Sequence, residues 1–117
     1  MTRLTSKQGS LAMSEHVLEW APFRLGAGVD ESALLPLSER LQTEFLAKQE
    51  GFVRRELIRG SDGGYADLVW WKSMALAGAA MEKAAASQVC LAYFGLMSAD
   101  QNEPGAGVLH FCSLRSY

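Results

Sequence analysis

A glycine-rich turn between two strand-like runs constrains this chain more than any other segment. Gly60-Ser61-Asp62-Gly63-Gly64 separates Phe52–Arg59 from Tyr65–Trp71, and a turn of this kind closes an antiparallel hairpin. The other elements must therefore pack onto an antiparallel sheet. The second arm of the hairpin carries one carboxylate, Asp67, among bulky apolar neighbours. Near the C-terminus, Val108–Leu114 does the same with His110. Ionisable groups in apolar strands are costly unless they meet water, a partner or a ligand. One face of this sheet is not plain core.

The remaining segments supply the other layers. Val17, Leu18, Trp20 and Phe23 alternate loosely within Glu15–Leu25, which predicts a first strand with Pro22 at an edge or bulge. Asp30 or Ser32 can cap a helix whose apolar stripe is Leu34, Leu37, Leu41 and Phe45. Pro36 is expected near its first turn, where the missing N–H costs little. Glu44 and Lys48 are expected to pair at i,i+4, and Gly51 to end the helix. Ser73 caps an alanine-rich helix from about Met74 to Ala86, and a second helical piece from about Gln88 to Met97 offers Val89, Leu91, Phe94 and Leu96 to the core. Met74, Met81 and Met97 are expected to pack and nothing more. After a turn-rich loop at Asp100–Gly107, Val108–Arg115 forms the last strand. The order is strand, helix, strand, strand, helix, strand. This is an α+β, ferredoxin-like βαββαβ arrangement, a four-stranded antiparallel sheet with both helices on one face.

Residues 1–13 read as a disordered N-terminal extension and 14–117 as one domain. The extension lacks the apolar stretch of a secretory signal, and no apolar run reaches the ~18 residues of a membrane span. These features predict a cytoplasmic protein that does not engage membranes. The net charge of -2 argues against nucleic acid, whose binders carry a basic excess. Cys90 and Cys112 have no CxxC spacing and read as reduced, buried small hydrophobes, with a single bridge between them as the alternative. His16 and His110 stand far apart without metal-ligand spacing, so no metal is expected. No nucleophile, phosphate-loop, flavin or dinucleotide signature is present, and no cofactor is expected.

A sheet with helices on one side leaves its other face open, and a solvated face should alternate cleanly between polar and apolar. Here Trp20, Phe23, Tyr65, Val69, Trp70 and Trp71 place bulky groups on both faces. A homodimer with the two sheets facing one another is the simplest solution. At this point the chain resembles the dimeric α/β-barrel superfamily, in its antibiotic-biosynthesis-monooxygenase-like branch. The resemblance rests on Glu19 with Phe23, Gly28-Val29-Asp30, the Gln49-Glu50-Gly51-Phe52-Val53 turn with Arg55-Glu56, Asp67, Trp71-Lys72-Ser73-Met74 and His110-Phe111. It covers about Glu15 to Leu114. It implies a small stand-alone homodimer acting without a cofactor on a small planar organic molecule, in the manner of the branch's dioxygen-using enzymes.

By strand parity, Tyr65, Asp67, Val69 and Trp71 share one face, and Ala66, Leu68 and Trp70 the other. The helix-covered face is expected to be uniformly apolar, so the set with the carboxylate is expected to face the barrel interior, together with Glu19, Ala21, Phe23, Val108, His110 and Cys112. Trp70, Leu109 and Phe111 are then left for the helices. In the second strand either Arg55 or Glu56 faces inward. Asp67 reads either as a general base, paired with His110, or as half of an ion pair with an arginine such as Arg55. His110 reads as an acid–base group, since an imidazole ordinarily titrates near neutrality, or as a ring satisfied by a neighbouring carboxylate. Trp71 and Tyr65 read as a wall for a planar ligand or as packing. Glu19 reads as part of the polar cluster or of an inter-subunit pair. The candidate catalytic residues are Asp67 and His110, and the candidate binding residues are Glu19, Arg55, Tyr65 and Trp71. The rival reading is a non-catalytic dimeric module.

Overall fold

The hairpin forms as its turn residues require. In the computed structural model, which describes residues 16–98 and 107–117, Phe52–Arg59 (β2) and Tyr65–Trp71 (β3) are its antiparallel arms. Gly63 sits at φ 87° in the turn, a conformation open to glycine at little cost. The turn closes with the Gly60 N–H donating to the Gly64 carbonyl at 2.7 Å.

Val17–Phe23 (β1) lies beside β3, and the four-residue Leu109–Cys112 (β4) lies beside β1, giving the antiparallel order β2-β3-β1-β4. Pro22 is tolerated because β4 covers only Val17–Trp20 of its neighbour. At Pro22 β1 has β3 alone as a partner, so the proline sits on a locally open edge.

Glu31–Glu44 (α1) is capped by Asp30, whose Oδ1 accepts from the Ser32 N–H at 3.1 Å. Two local expectations for this helix fail. Pro36 lies past the first turn, where a helix loses one backbone hydrogen bond. Glu44 pairs with Arg40, at 2.9 and 3.1 Å, in place of Lys48. A single 3₁₀ turn at Leu46–Lys48 then leads to Gly51 at φ 87°.

Ser73 caps Met74–Ala84 (α2), and Ser87 caps Gln88–Phe94 (α3). Each serine hydroxyl accepts a backbone N–H three residues on, at 3.2 Å, and each satisfies a donor that the helix start leaves orphaned. The core joins the helices to one sheet face through Phe23, Leu34, Leu41, Phe45, Val69, Trp71, Ala77, Ala80, Val89, Cys90 and Tyr93.

On α3 the buried stripe is Val89, Cys90 and Tyr93, whereas Leu91 and Phe94, expected in the core, are about half exposed. Met74 and Met81 are likewise exposed. Cys90 and Cys112 are both free thiols, but only Cys90 is buried, because Cys112 ends the short edge strand. The expected disordered extension at residues 1–13 and most of the loop before β4 lie outside the described residues.

Candidate functional site

Strand register collects every candidate residue on one face of the sheet. Arg55, Val69, Glu19 and His110 are consecutive cross-strand partners from β2 to β4. Asp67 and Trp71 flank that row on β3, two residues either side of Val69. Period-two alternation puts all of them on the same side. The parity grouping is therefore right, and Arg55, not Glu56, shares the face of Asp67.

The expected direction of that face is reversed. Arg55 donates from Nη1 to the Ser38 carbonyl at 3.1 Å and from Nη2 to Ser38 Oγ at 2.9 Å. Its Nη2 also donates to the Tyr93 hydroxyl at 3.2 Å. Ser38 belongs to α1 and Tyr93 to α3, so the polar set lies under the helices. The opposite, open face carries Trp70, Leu109 and Phe111, which were expected against the helices. The physical reason is that a charge can be buried beneath helices when all its bonds are made.

The polar set divides into two groups. In the first, Arg55 Nε donates to Asp67 Oδ1 at 2.7 Å and the Tyr93 hydroxyl donates to Asp67 Oδ2 at 2.8 Å. The Arg55 and Asp67 side chains are 5% and 10% exposed. Both carboxylate oxygens are occupied, and Asp67 pairs with Arg55, not with His110. Burial and then the Asp67 charge push the Tyr93 hydroxyl well above its ordinary range, so it stays a donor. This group is closed.

The second group is partly open. Trp71 Nε1 donates to Glu19 Oε1 at 3.2 Å, and His110 Nε2 stands 3.5 Å from the same oxygen. The Glu19 and His110 side chains retain 16% and 22% exposure. Among the described residues Glu19 Oε2 and His110 Nδ1 engage nothing. Burial raises the Glu19 carboxyl above its ordinary range, although His110 and the Trp71 N–H pull the other way.

Tyr65 does not join either group. Its hydroxyl donates to Glu31 Oε1 at 2.9 Å, Arg59 donates to the same oxygen at 2.7 Å, and its ring stacks on Phe23 at 5.6 Å. Tyr65 therefore ties the start of α1 to the hairpin. The sequence reading missed Tyr93 and Ser38. The spacing of Val89 and Tyr93, one helical turn apart beside the small Cys90, was the signal for Tyr93. Ser38 carried none, because it acts through its place on α1 as much as through its hydroxyl.

The raised Glu19 carboxyl has a measurable consequence. The folded protein holds this proton more tightly than the unfolded chain, so stability falls as pH rises from the ordinary glutamate value through the raised one. Glu19→Gln keeps an acceptor for Trp71 and removes that fall. Urea midpoints followed from about pH 4 to about pH 8 should show the variant gaining on the wild type as pH increases. Parallel curves would contradict the burial cost assigned to Glu19.

Several solved structures superpose on the chain. SnoaB, a cofactor-independent oxygenase from Streptomyces nogalater, matches in mutant form at 19% identity and TM-score 0.61, over 87% of this chain and 96% of its own. A provisionally assigned antibiotic biosynthesis monooxygenase from Caulobacter crescentus matches at 16% identity and TM-score 0.56, over 93% and 99%. The chain has the fold of these solved structures, a four-stranded antiparallel sheet with its helices on one face. Hydroxynitrile lyase from Passiflora edulis shares this monooxygenase-like fold at 13% identity and TM-score 0.51, over 89% and 98%, so the fold does not choose the reaction. No protein-family model and no curated relative matches the chain. Among the described residues, no helix is long and apolar enough to cross a membrane.

Proposed function

We propose that the protein is a homodimer that binds a small planar organic molecule and moves a proton on it through Glu19 and His110, as a cofactor-free oxygenase. The observation that carries this reading is the second polar group. Trp71 orients the Glu19 carboxyl, His110 stands beside it, and burial raises the carboxyl above its ordinary range. Such a pair suits general acid–base work, which contributes about 10²–10⁴-fold in rate. His110 takes a proton from an electron-rich substrate, Glu19 stabilises the anion formed through a hydrogen bond without transferring its proton, and the anion reacts with dioxygen. The substrate supplies the electrons, one oxygen atom enters the product, and the other leaves as water. SnoaB, a cofactor-independent oxygenase, is an example of this fold carrying such chemistry.

Asp67 is assigned a structural part and His110 keeps the acid–base one. The homodimer rests on the open face, where Leu109 and Phe111 are 53% and 50% exposed beside the half-buried Trp20, Leu68 and Trp70. A patch of this kind marks an association surface. Sedimentation at micromolar concentration should give twice the chain mass, and a monomer would end the dimer reading.

The catalytic test is oxygen uptake with anthrone, a planar C–H acid. Wild type should accelerate uptake, and Glu19→Gln and His110→Ala should each lower it about a hundredfold while remaining folded. Equal rates in both variants would remove the pair from the chemistry. The saturated Arg55–Asp67 pair favours a second reading, a non-catalytic binding module. That reading predicts anthrone binding without any acceleration of uptake.

A further inference from the structure

A second site lies on the opposite side of the sheet. Between Trp20, Pro22, Ile58 and Ala66 the open face sinks into a cavity of about 310 Å³, rimmed by Arg24 and Asp62. Register explains the hollow. Ala66 on β3 is flanked by Pro22 on β1 and Ile58 on β2, so the smallest side chain forms the floor and larger ones form the walls. Ala66 is only 3% exposed. The volume is at the low end of small-ligand sites, about 300–1,000 Å³, which suits a single ring.

The rim is an ion pair with spare capacity on both sides. Arg24 Nη2 donates to Asp62 Oδ2 at 2.8 Å and Nη1 donates to the Asp62 carbonyl at 3.3 Å. Two of the five guanidinium N–H groups are used, and three are left for an acceptor. Asp62 Oδ1 accepts the Gly64 N–H at 2.9 Å, which leaves the carboxylate lone pairs for another donor. The two side chains are 49% and 71% exposed, and they lie at the turn, beyond the strand ends. A singly charged ligand would meet a like charge at this rim, whereas one carrying both charges side by side meets an opposite charge for each.

We infer that this cavity binds a small zwitterion with an apolar body, of the kind represented by an aromatic α-amino acid. The ring lies on Ala66 between Trp20 and Ile58, the ligand carboxylate takes free N–H groups of Arg24, and its ammonium donates to Asp62. This site does not depend on the acid–base reading of the helix-covered face. In the proposed homodimer the second copy roofs the apolar floor, and the charged rim stays at the hairpin end.

Calorimetric titration of the wild-type protein tests this with three probes: L-phenylalanine, 3-phenylpropanoate and 2-phenylethylamine. L-Phenylalanine should bind at least about tenfold more tightly than either singly charged analogue, a difference of about 1.4 kcal/mol. Arg24→Gln, a change at an exposed side chain, should erase that preference. Ala66→Leu should fill the floor and weaken all three, with circular dichroism confirming that it folds. If Ala66→Leu does not fold, Ile58→Ala, which opens one wall, should weaken all three instead. No binding of L-phenylalanine at about 10 mM, equal binding of the three probes, or binding unchanged in Arg24→Gln would each overturn the site.

Discussion

Replacing Arg55 by methionine should cost about 3–5 kcal/mol of folding stability, the usual penalty for removing one partner of a buried ion pair. Arg55 makes four hydrogen bonds, to Asp67, to the Ser38 carbonyl and hydroxyl, and to the Tyr93 hydroxyl. Its removal leaves the Asp67 carboxylate under the helices with one donor, the Tyr93 hydroxyl. It also removes the extra donor to the Ser38 carbonyl and one of the polar ties between α1 and the sheet. Urea unfolding should show the midpoint falling with little change in slope. Methionine nearly conserves the apolar length of the side chain, so lost packing contributes little. Arg55→Met combined with Asp67→Leu removes the stranded charge and should recover part of the loss. A double variant no more stable than Arg55→Met alone would mean that helix docking, not the buried charge, sets the penalty.

This network also explains what was legible in the sequence and what was not. The hairpin arms could be read to the residue because the glycines mark their ends, and the helix starts because Asp30 and Ser73 are good caps. The parity of Asp67 with Trp71, and of Glu19 with Phe23, follows from the two-residue period and holds. The direction of that parity set does not follow from period. It was read from the premise that a helix-covered face is uniformly apolar, and Arg55, Asp67, Ser38 and Tyr93 break that premise by saturating one another. The partners come from β2, β3, α1 and α3, up to 38 residues apart, so no local pattern announces that they meet. Leu109 and Phe111 were assigned to the helices by the same premise and went wrong with it.

The two polar groups differ in what they can still do, although they share one face. Asp67 has no unoccupied oxygen and a cation against it. It can hold helices to a sheet, and both of its oxygens are engaged in that hold. Glu19 shares one oxygen between Trp71 and His110, and it lacks a permanent cation among the described residues. Its charge is therefore negotiable, as acid–base chemistry requires. Val69 and Trp71, the next residues on that face of β3, sit in the apolar core, and Trp71 in turn orients Glu19.

Gly51→Ala should be the other severe lesion, because two independent penalties fall on one atom. Gly51 occupies φ 87°, where a Cβ costs roughly 1–2 kcal/mol. A Cβ built there would also lie 2.6 Å from Leu76 Cδ1 and 2.7 Å from Leu76 Cβ. Relieving such an overlap costs about 1–3 kcal/mol, and Leu76 cannot swing clear because its Cβ, not only its tip, is in contact. The backbone cannot move easily either, since the Gly51 carbonyl accepts the Lys72 N–H at 2.8 Å and so joins β2 to β3. A total loss of about 2–5 kcal/mol should appear as a lowered urea midpoint. The two terms separate in one further variant. Gly51→Ala with Leu76→Gly removes the clash but not the backbone strain, so, measured against Leu76→Gly alone, Gly51→Ala should cost only the strain. The same cost in both backgrounds would assign the whole lesion to the left-handed backbone and none to Leu76.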